Sequence, residues 1–234
     1  MSLSIAVVIP TWNEERVLSR TLLAVRQLRF DEVILVDGGS RDRTVPIAQG
    51  QLQGLSLQPA KVMEAEQGRA RQMNAGARAT RSEILLFLHA DTLLPPETRN
   101  EIERVLQNPK YVGGRFDVRF EDDRGWAWLV SRLMNWRSRW SGIATGDQAI
   151  FVRRAVFDNL GGFADLPLME DIELTQRLKG MGSVAALRTK VTTSFRRWEQ
   201  QGALRTILQM WLLRFLYWLG LPPKFLHQFY VPIR

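Results

Sequence analysis

Four stretches of this chain carry acidic side chains where an acid could do chemistry. LLFLHADT, Leu85 to Thr92, rises through apolar residues and stops at Asp91, with His89 two positions earlier. VVIPTWNEE sets Pro10, Thr11, Asn13, Glu14 and Glu15 at the end of a second apolar run, and VDGGSRDRT ends a third on Asp37, followed by Gly38 and Gly39. LMEDIELTQRLKGMG crowds Glu170, Asp171 and Glu173 into the first turn of an expected helix that stops at Gly180 or Gly182. A carboxylate at a strand end suits a divalent cation that bridges and neutralises a nucleotide diphosphate. An acid before two glycines suits a ribose hydroxyl or a base edge, since glycine permits close backbone approach. Each stretch also has a plain structural alternative. Asn13 would cap the next helix with Glu14 and Glu15 favoured by its dipole, Asp42 would cap the one after, and Asp91 and Thr92 would open a turn before Pro95 and Pro96. Three acids at a helix N-terminus are likewise the ordinary dipole-favoured pattern.

The elements that must position these residues follow from periodicity. SIAVVIP, DEVILVD, part of LSLQPAKVMEA and EILLFLHAD read as strands, whereas NEERVLSRTLLAVRQL has Val17, Leu18, Leu22 and Val25 at amphipathic helical spacing. RTVPIAQGQLQ, GRARQMNAGARATR and PPETRNEIERVLQ read as further helices, the last entered through two prolines. Strands alternating with helices predict an α/β fold: a mostly parallel sheet covered on both faces, binding ligands at the carboxyl ends of its strands. Those ends are Pro10 to Asn13, Asp37 to Ser40, and Asp91.

The 234 residues, 45% hydrophobic, supply one large domain with a core. The absence of cysteine excludes a disulfide scaffold and a thiolate metal site and suits a reducing cytoplasm; no secretory signal is expected in the opening residues. A formal charge of +8 favours anionic partners. Nucleic acid is not expected among them, because the basic residues are scattered and no helix-turn-helix, zinc-finger or RNP pattern occurs. The first turn carries no G-x-G-x-x-G, and no G-x-x-x-x-G-K-[ST] appears, which argues against a dinucleotide oxidoreductase and a P-loop enzyme.

VVIPTWNEE, VDGGSRDRT, HADT, GDQAIFVRR, GGF and EDIELTQRL occur in the order shown by family 2 glycosyltransferases. The chain resembles that family over about residues 4 to 200, and within it looks most similar to the small bacterial subgroup of radical-SAM- or selenodomain-associated transferases 2. The resemblance implies the GT-A fold and a UDP- or GDP-sugar donor bound with Mn2+ or Mg2+. It implies that Pro10, Thr11, Asn13 and Glu14 form the first nucleotide-binding loop, that Asp37 with Gly38 meets the base, and that Arg69 or Arg71 lies near the nucleotide. Asp91 matches the last acid of the DxD metal motif, and His89 stands where its first acid would be. An imidazole is a poorer ligand than carboxylate for magnesium and an acceptable one for manganese. A bond to a ribose hydroxyl, a metal bond and simple packing all stay open for His89. Asp171 is implied as the general base that inverts the anomeric configuration, with Glu170 orienting it.

The same resemblance puts Gly146, Asp147 and Gln148 on the acceptor or donor-sugar side, and it relates Arg197 and Trp198 to the Q-x-x-R-W element of processive relatives. The expected acceptor is a hydroxyl, with a lipid-linked one among the candidates. Alternatives are a sugar nucleotidyltransferase and a catalytically inactive nucleotide-sugar-binding domain. GWAWLVSRLMNWRSRW and ALRTILQMWLLRFLYWLGLPPKF are rich in Trp and Arg. The second is interrupted by Arg205 and Arg214, so an interfacial helix on the inner face of a membrane, packing on the domain and a homodimer contact are weighed against a span. The expected division is a catalytic domain over 1–200 and a helical extension over 201–234.

Overall fold

A computed structural model describes residues 3–52 and 59–230. The first apolar run forms β1 (Ile5–Thr11), buried along its whole length. Because side chains alternate across a strand, Ile5, Val7 and Ile9 face one layer and Ala6 and Val8 the other. The first layer receives Leu18, Leu22 and Val25 of α1 (Leu18–Gln27); the second receives Met73 and Ala77 of α3 (Arg69–Arg78). Around them lie β2 (Glu32–Asp37), α2 (Thr44–Leu52), β3 (Ala60–Glu64), β4 (Ile84–Phe87), β5 (Thr92–Leu93) and α4 (Thr98–Leu106). The leading part of the expected third strand, 55–58, lies outside the described residues.

The second half adds β6 (Tyr111–Phe120), α5 (Gly125–Ser141), a 3-10 turn over Gly146–Gln148, β7 (Ile150–Arg153), α6 (Arg154–Asn159) and α7 (Glu170–Met181). It closes with β8 (Ser183–Thr193), α8 (Arg196–Gln201), α9 (Ala203–Trp218) and α10 (Pro223–His227). The strand order is β3-β2-β1-β4-β7-β6-β8-β5. Pairs β1/β2, β1/β4, β2/β3 and β6/β8 are parallel; β4/β7, β6/β7 and β5/β8 are antiparallel. The chain winds outward from β1 to β3 and then crosses back to β4 on the other side. The carboxyl ends of β1 and β4 therefore flank a topological switch point, where open sheets leave a crevice.

Two boundaries differ from those predicted. Helix α1 begins at Leu18 with Val17 as its cap and no side-chain cap bond. Asn13 is instead in the left-handed region, φ 54°, and bonds to the neighbouring loop. The fourth strand ends at Phe87 rather than Asp91: Leu88 N–H still donates to Val8 O, after which Thr92 N–H turns back onto His89 O. Asp91 thus sits in a turn that lifts it out of the sheet, while Thr92 and Leu93 pair with β8.

Gly76 brings α3 down onto the sheet. A Cβ there would lie 2.4 Å from Val8 Cγ1 and 3.0 Å from Val36 Cγ2, and both valines are fully buried. The C-terminal helices also pack on the rest, with Leu213 and Leu226 against Leu168, Met169 and Ile172. Gly76→Ala should therefore lower stability by about 1–3 kcal/mol through overpacking, despite a helix-propensity gain of about 1 kcal/mol. Urea unfolding measures it, and a variant as stable as the wild type would contradict this close approach.

Candidate functional site

The loops after β1 and β2 are stitched to each other. Asn13 N–H donates to Ser40 Oγ (2.8 Å), Arg41 N–H to Asn13 Oδ1 (2.8 Å), Glu14 N–H to Thr44 Oγ1 (2.7 Å), Glu15 N–H to Asp42 Oδ2 (3.1 Å) and Arg43 N–H to Glu15 Oε2 (3.0 Å). Asp42 also receives the N–H of Thr44, the first residue of α2, so it does act as a cap. Burial alone would raise its carboxyl, and the bond from the Thr44 hydroxyl, then those from the Thr44 and Glu15 amides, hold it below the usual range. Asp37 is almost fully buried. Its oxygens accept from Gly39 N–H (2.9 Å), Ser40 N–H (2.7 Å), Ser40 Oγ (2.5 Å) and Thr11 Oγ1 (3.2 Å). An acid expected to face a base is here the post around which the Gly38–Gly39 turn is built. Gln72 of α3, a residue the sequence did not mark, clamps both strand ends by donating to Thr11 O (2.7 Å) and Val36 O (2.8 Å).

Beside this frame lies a cavity of about 530 Å³ that collects Pro10, Glu14, His89 and Asp91 from the first half and Gly146, Asp147, Glu170 and Asp171 from the second. Thr11, Asn13, Asp37, Gly38, Arg71 and Gln148 do not line it. Gln148 is fully buried; it accepts from Thr145 N–H at the 3-10 turn and donates to Phe116 O of β6. Arg69 and Arg71 point in different directions. Arg71 pairs with Glu66 and Asp165 on the surface, whereas Arg69 lines the cavity. Burial disfavours the Arg69 charge, but the field of Tyr230, Glu170, Asp147 and Asp171 outweighs it and raises its pKa.

His89 bridges the two halves. Its Nδ1 meets Asp147 Oδ1 at 3.1 Å, and its Nε2 lies over Gly146, where a Cβ would come within 2.2 Å. Asp171 is fixed by backbone amides: Oδ2 accepts from Gly146 N–H and Oδ1 from Ile172 N–H, each at 2.7 Å. Met169, just before this pair of acids, holds φ 69° as the α7 cap. Burial, and next the Asp171 charge, pushes the Glu170 carboxyl up to about 6, with Arg69 opposing.

Arg196, next to the expected Arg197, reaches Glu14 Oε2 and Asp91 Oδ2, both at 3.4 Å. The Arg197 side chain lies outside the described residues. Trp198 lines the cavity and stacks on Phe195, ring centroids 5.9 Å apart. Two more arginines on the cavity wall, Arg137 of α5 and Arg214 of α9, escaped the sequence reading. In sequence Arg214 reads as an interruption of an apolar run, and both arginines lie in segments whose dominant signal is Trp content.

Asp91 faces the cavity with Arg196 as its only side-chain partner among the described residues and no backbone amide on it. Magnesium-like cations are commonly held by one or two carboxylates, with substrate phosphates and water completing the shell. The donor set fits a cation arriving with a diphosphate; among the described residues no group of three or more His, Cys, Asp or Glu forms a complete cage.

The mostly parallel α/β sheet with helices on its faces has the GT-A fold. The chain belongs to glycosyl transferase family 2, which matches residues 6–163. It is 34% identical over 158 residues to an undecaprenyl-phosphate 4-deoxy-4-formamido-L-arabinose transferase of Pseudomonas paraeruginosa, covering 64% of this chain and 46% of that one. It is 28% identical over 201 residues to the probable glycosyltransferase YdaM of Bacillus subtilis, covering 76% and 47%. The chain thus spans about half the length of these curated relatives. In fold it resembles mannosyltransferase PcManGT from Pyrobaculum calidifontis, solved with GDP-Man and Mn2+, at TM-score 0.68 and 18% identity over 92% of this chain and 61% of that one. It likewise resembles S. aureus TarS 1-349 in complex with UDP-GlcNAc, at TM-score 0.65 and 20% identity over 82% and 58%.

Glu170 supplies a prediction of its own. Its carboxyl titrates at about 6 in the fold against an ordinary 4.5, so between these values the folded state keeps a proton that the unfolded chain has lost. Stability from this group is therefore full below the lower value and falls as pH rises through the upper one. Glu170→Gln removes that fall: the melting temperature of the variant relative to wild type should climb between pH 4.5 and about 7. A difference that stays flat with pH would show that Glu170 is not held in this way.

Proposed function

We propose that this chain transfers a sugar from a nucleotide-sugar donor, UDP- or GDP-linked, to the accepting oxygen of a lipid-linked acceptor, with inversion and with Mn2+ or Mg2+ as cofactor. The observation that carries the reading is the meeting in one cavity of Asp91, in the turn after β4, and Asp171, at the start of α7. The donor class is supported by the nucleotide sugars bound to the structural neighbours, and the acceptor by the undecaprenyl-phosphate transferase relative. Within the family, the chain is read as a member of the radical-SAM- or selenodomain-associated subgroup.

In this reading Asp91 would hold the cation, which when bound neutralises charge on the diphosphate. Arg196 stands beside Asp91 and adds a second positive charge toward the leaving group. Asp171, oriented by two backbone amides, receives the proton of the accepting oxygen as that oxygen attacks the anomeric carbon and the carbon–diphosphate bond breaks. Glu170 and Arg69 set the charge around it. Thr11, Asn13, Asp37 and Gly38 act behind the donor by fixing the two loops on which its nucleoside rests. Asp91→Ala should abolish manganese-dependent binding of a nucleoside diphosphate in calorimetry. Asp171→Asn should keep that binding and lower transfer by about 10² or more. Unchanged metal-dependent affinity in the first, or full turnover in the second, would remove that residue from its role.

The acceptor side also accounts for the Trp-rich helices. Trp136 and Trp140 of α5 are stacked on each other and exposed, as are Trp211, Leu212, Phe215 and Trp218 of α9. Among the described residues no helix is long and apolar enough to cross a membrane. Exposed Trp and Leu mixed with exposed Arg132 and Arg205, on a chain of net charge +8, match the surface of an anionic bilayer. The protein should float with anionic vesicles at low salt and release as salt rises, and Trp211→Ser with Trp218→Ser should weaken the association. A wild-type protein that stays with the soluble fraction at low salt would overturn membrane docking.

A further inference from the structure

Several guanidinium groups enter the interior of this fold with partners. Arg115 pairs with Asp117, Arg153 donates to the Tyr111 and Leu106 carbonyls, Arg154 to those of Ser82 and Ala77, and Arg177 grips Glu173. Arg115 and Arg154 each leave one buried nitrogen, Nη2, without a partner but are held by those other bonds; Arg137 leaves two, Nε and Nη2, and has no acceptor among the described residues to hold it. An uncompensated buried charge is costly and is retained where a ligand completes it. Arg137 lies on the cavity wall, and Arg214 of α9 lines the same cavity. Burial and then the Arg214 charge push Arg137 down to about 9, and burial lowers Arg214 in turn. Both like charges line one partly dry cavity wall, an arrangement that an anion held there would relieve.

The surroundings narrow the anion's class. The nearby acids felt by both arginines are Asp171 and Asp147, on the acceptor side of the cavity, whereas Arg196 already stands at Asp91. The wall from which the two arginines project is apolar: Leu133, Trp136 and Trp140 of α5 and Ile207, Met210 and Trp211 of α9. It continues outward into the exposed Trp residues of the same helices. We infer that Arg137 and Arg214 seat the phosphate head of an amphiphilic acceptor whose hydrocarbon chain leaves along the α5–α9 wall. The inference rests on reading the cavity as a sugar-transfer site and names the group by which the acceptor is held. Planar guanidinium donors suit phosphate oxygens, and charge-assisted bonds in a secluded site are strong ones.

Binding of farnesyl phosphate, below its micellar concentration, tests this by calorimetry beside farnesol, inorganic phosphate and a nucleoside diphosphate with manganese. Farnesyl phosphate should bind at least about tenfold more tightly than farnesol or inorganic phosphate, the scale of one charge-assisted bond. Arg137→Gln and Arg214→Gln should each weaken it by about tenfold or more while leaving nucleoside diphosphate affinity within about twofold. Equal binding of farnesol would remove the phosphate seat, and equal binding of inorganic phosphate would remove the hydrocarbon track. Variants that lose nucleoside diphosphate but keep farnesyl phosphate would assign the arginines to the donor and overturn the proposal. Should the variants fail to fold, the three-ligand comparison on wild-type protein still decides. A wild-type protein that binds farnesyl phosphate but no nucleoside diphosphate would contradict the donor reading alone.

Discussion

Parallel pairing of β1 with both β2 and β4 leaves the carboxyl ends of three neighbouring strands open at one edge, and the rest of the structure answers that opening. Strand ends carry N–H and C=O groups that the ladder no longer satisfies. Here side chains take them up: Gln72 covers the carbonyls of Thr11 and Val36, and Asp37 gathers the amides of Gly39 and Ser40. The five bonds between the 13–15 and 40–44 loops, each worth about 1 kcal/mol net, make one rigid shelf of two loops. A shelf that does not yield suits a binding edge, because adjustment on binding would cost affinity.

The alternation of strands and helices and the placing of acids at strand ends were legible, since both rest on local periodicity. Side-chain direction was less legible. Arg69 and Arg71 stand two apart on one helix, and the roughly 200° between them sends one into the cavity and the other to Asp165. Nothing in GRARQMNAG states which is which until α3 is laid on the sheet by Gly76. Gln148 is similar: a glutamine after GD reads as a ligand contact, but one end of its amide goes to the 3-10 turn and the other to Phe116 O of β6.

Contacts across the chain were out of reach for a different reason. Arg196 and Asp91 are 105 residues apart, and Gly146 and Asp171 are 25 apart. The first meeting depends on β5 pairing with β8, so that the strand before α8 returns to the turn after β4. Asp117 shows the same dependence, shared between Arg115 of its own strand and Arg139 of α5. A motif marks one partner of such a pair; only the fold supplies the other.

The charge pattern of the cavity follows from these long-range closures. Acids arrive on turns and a helix start, at Asp91, Asp147, Glu170 and Asp171, whereas Arg137 and Arg214 arrive well inside helices and Arg69 at the start of one. A helix interior cannot shift one residue without moving its whole face, so a cation placed there is held by every apolar contact the helix makes. Leu213, next to Arg214, is anchored in the cluster of Leu168, Met169 and Ile172, directly before and inside the first turn of α7. The same packing that docks α9 thus sets the distance between its arginine and the acids of α7. Loosening the C-terminal helices would alter the electrostatics at Asp171 without touching any group that bears charge.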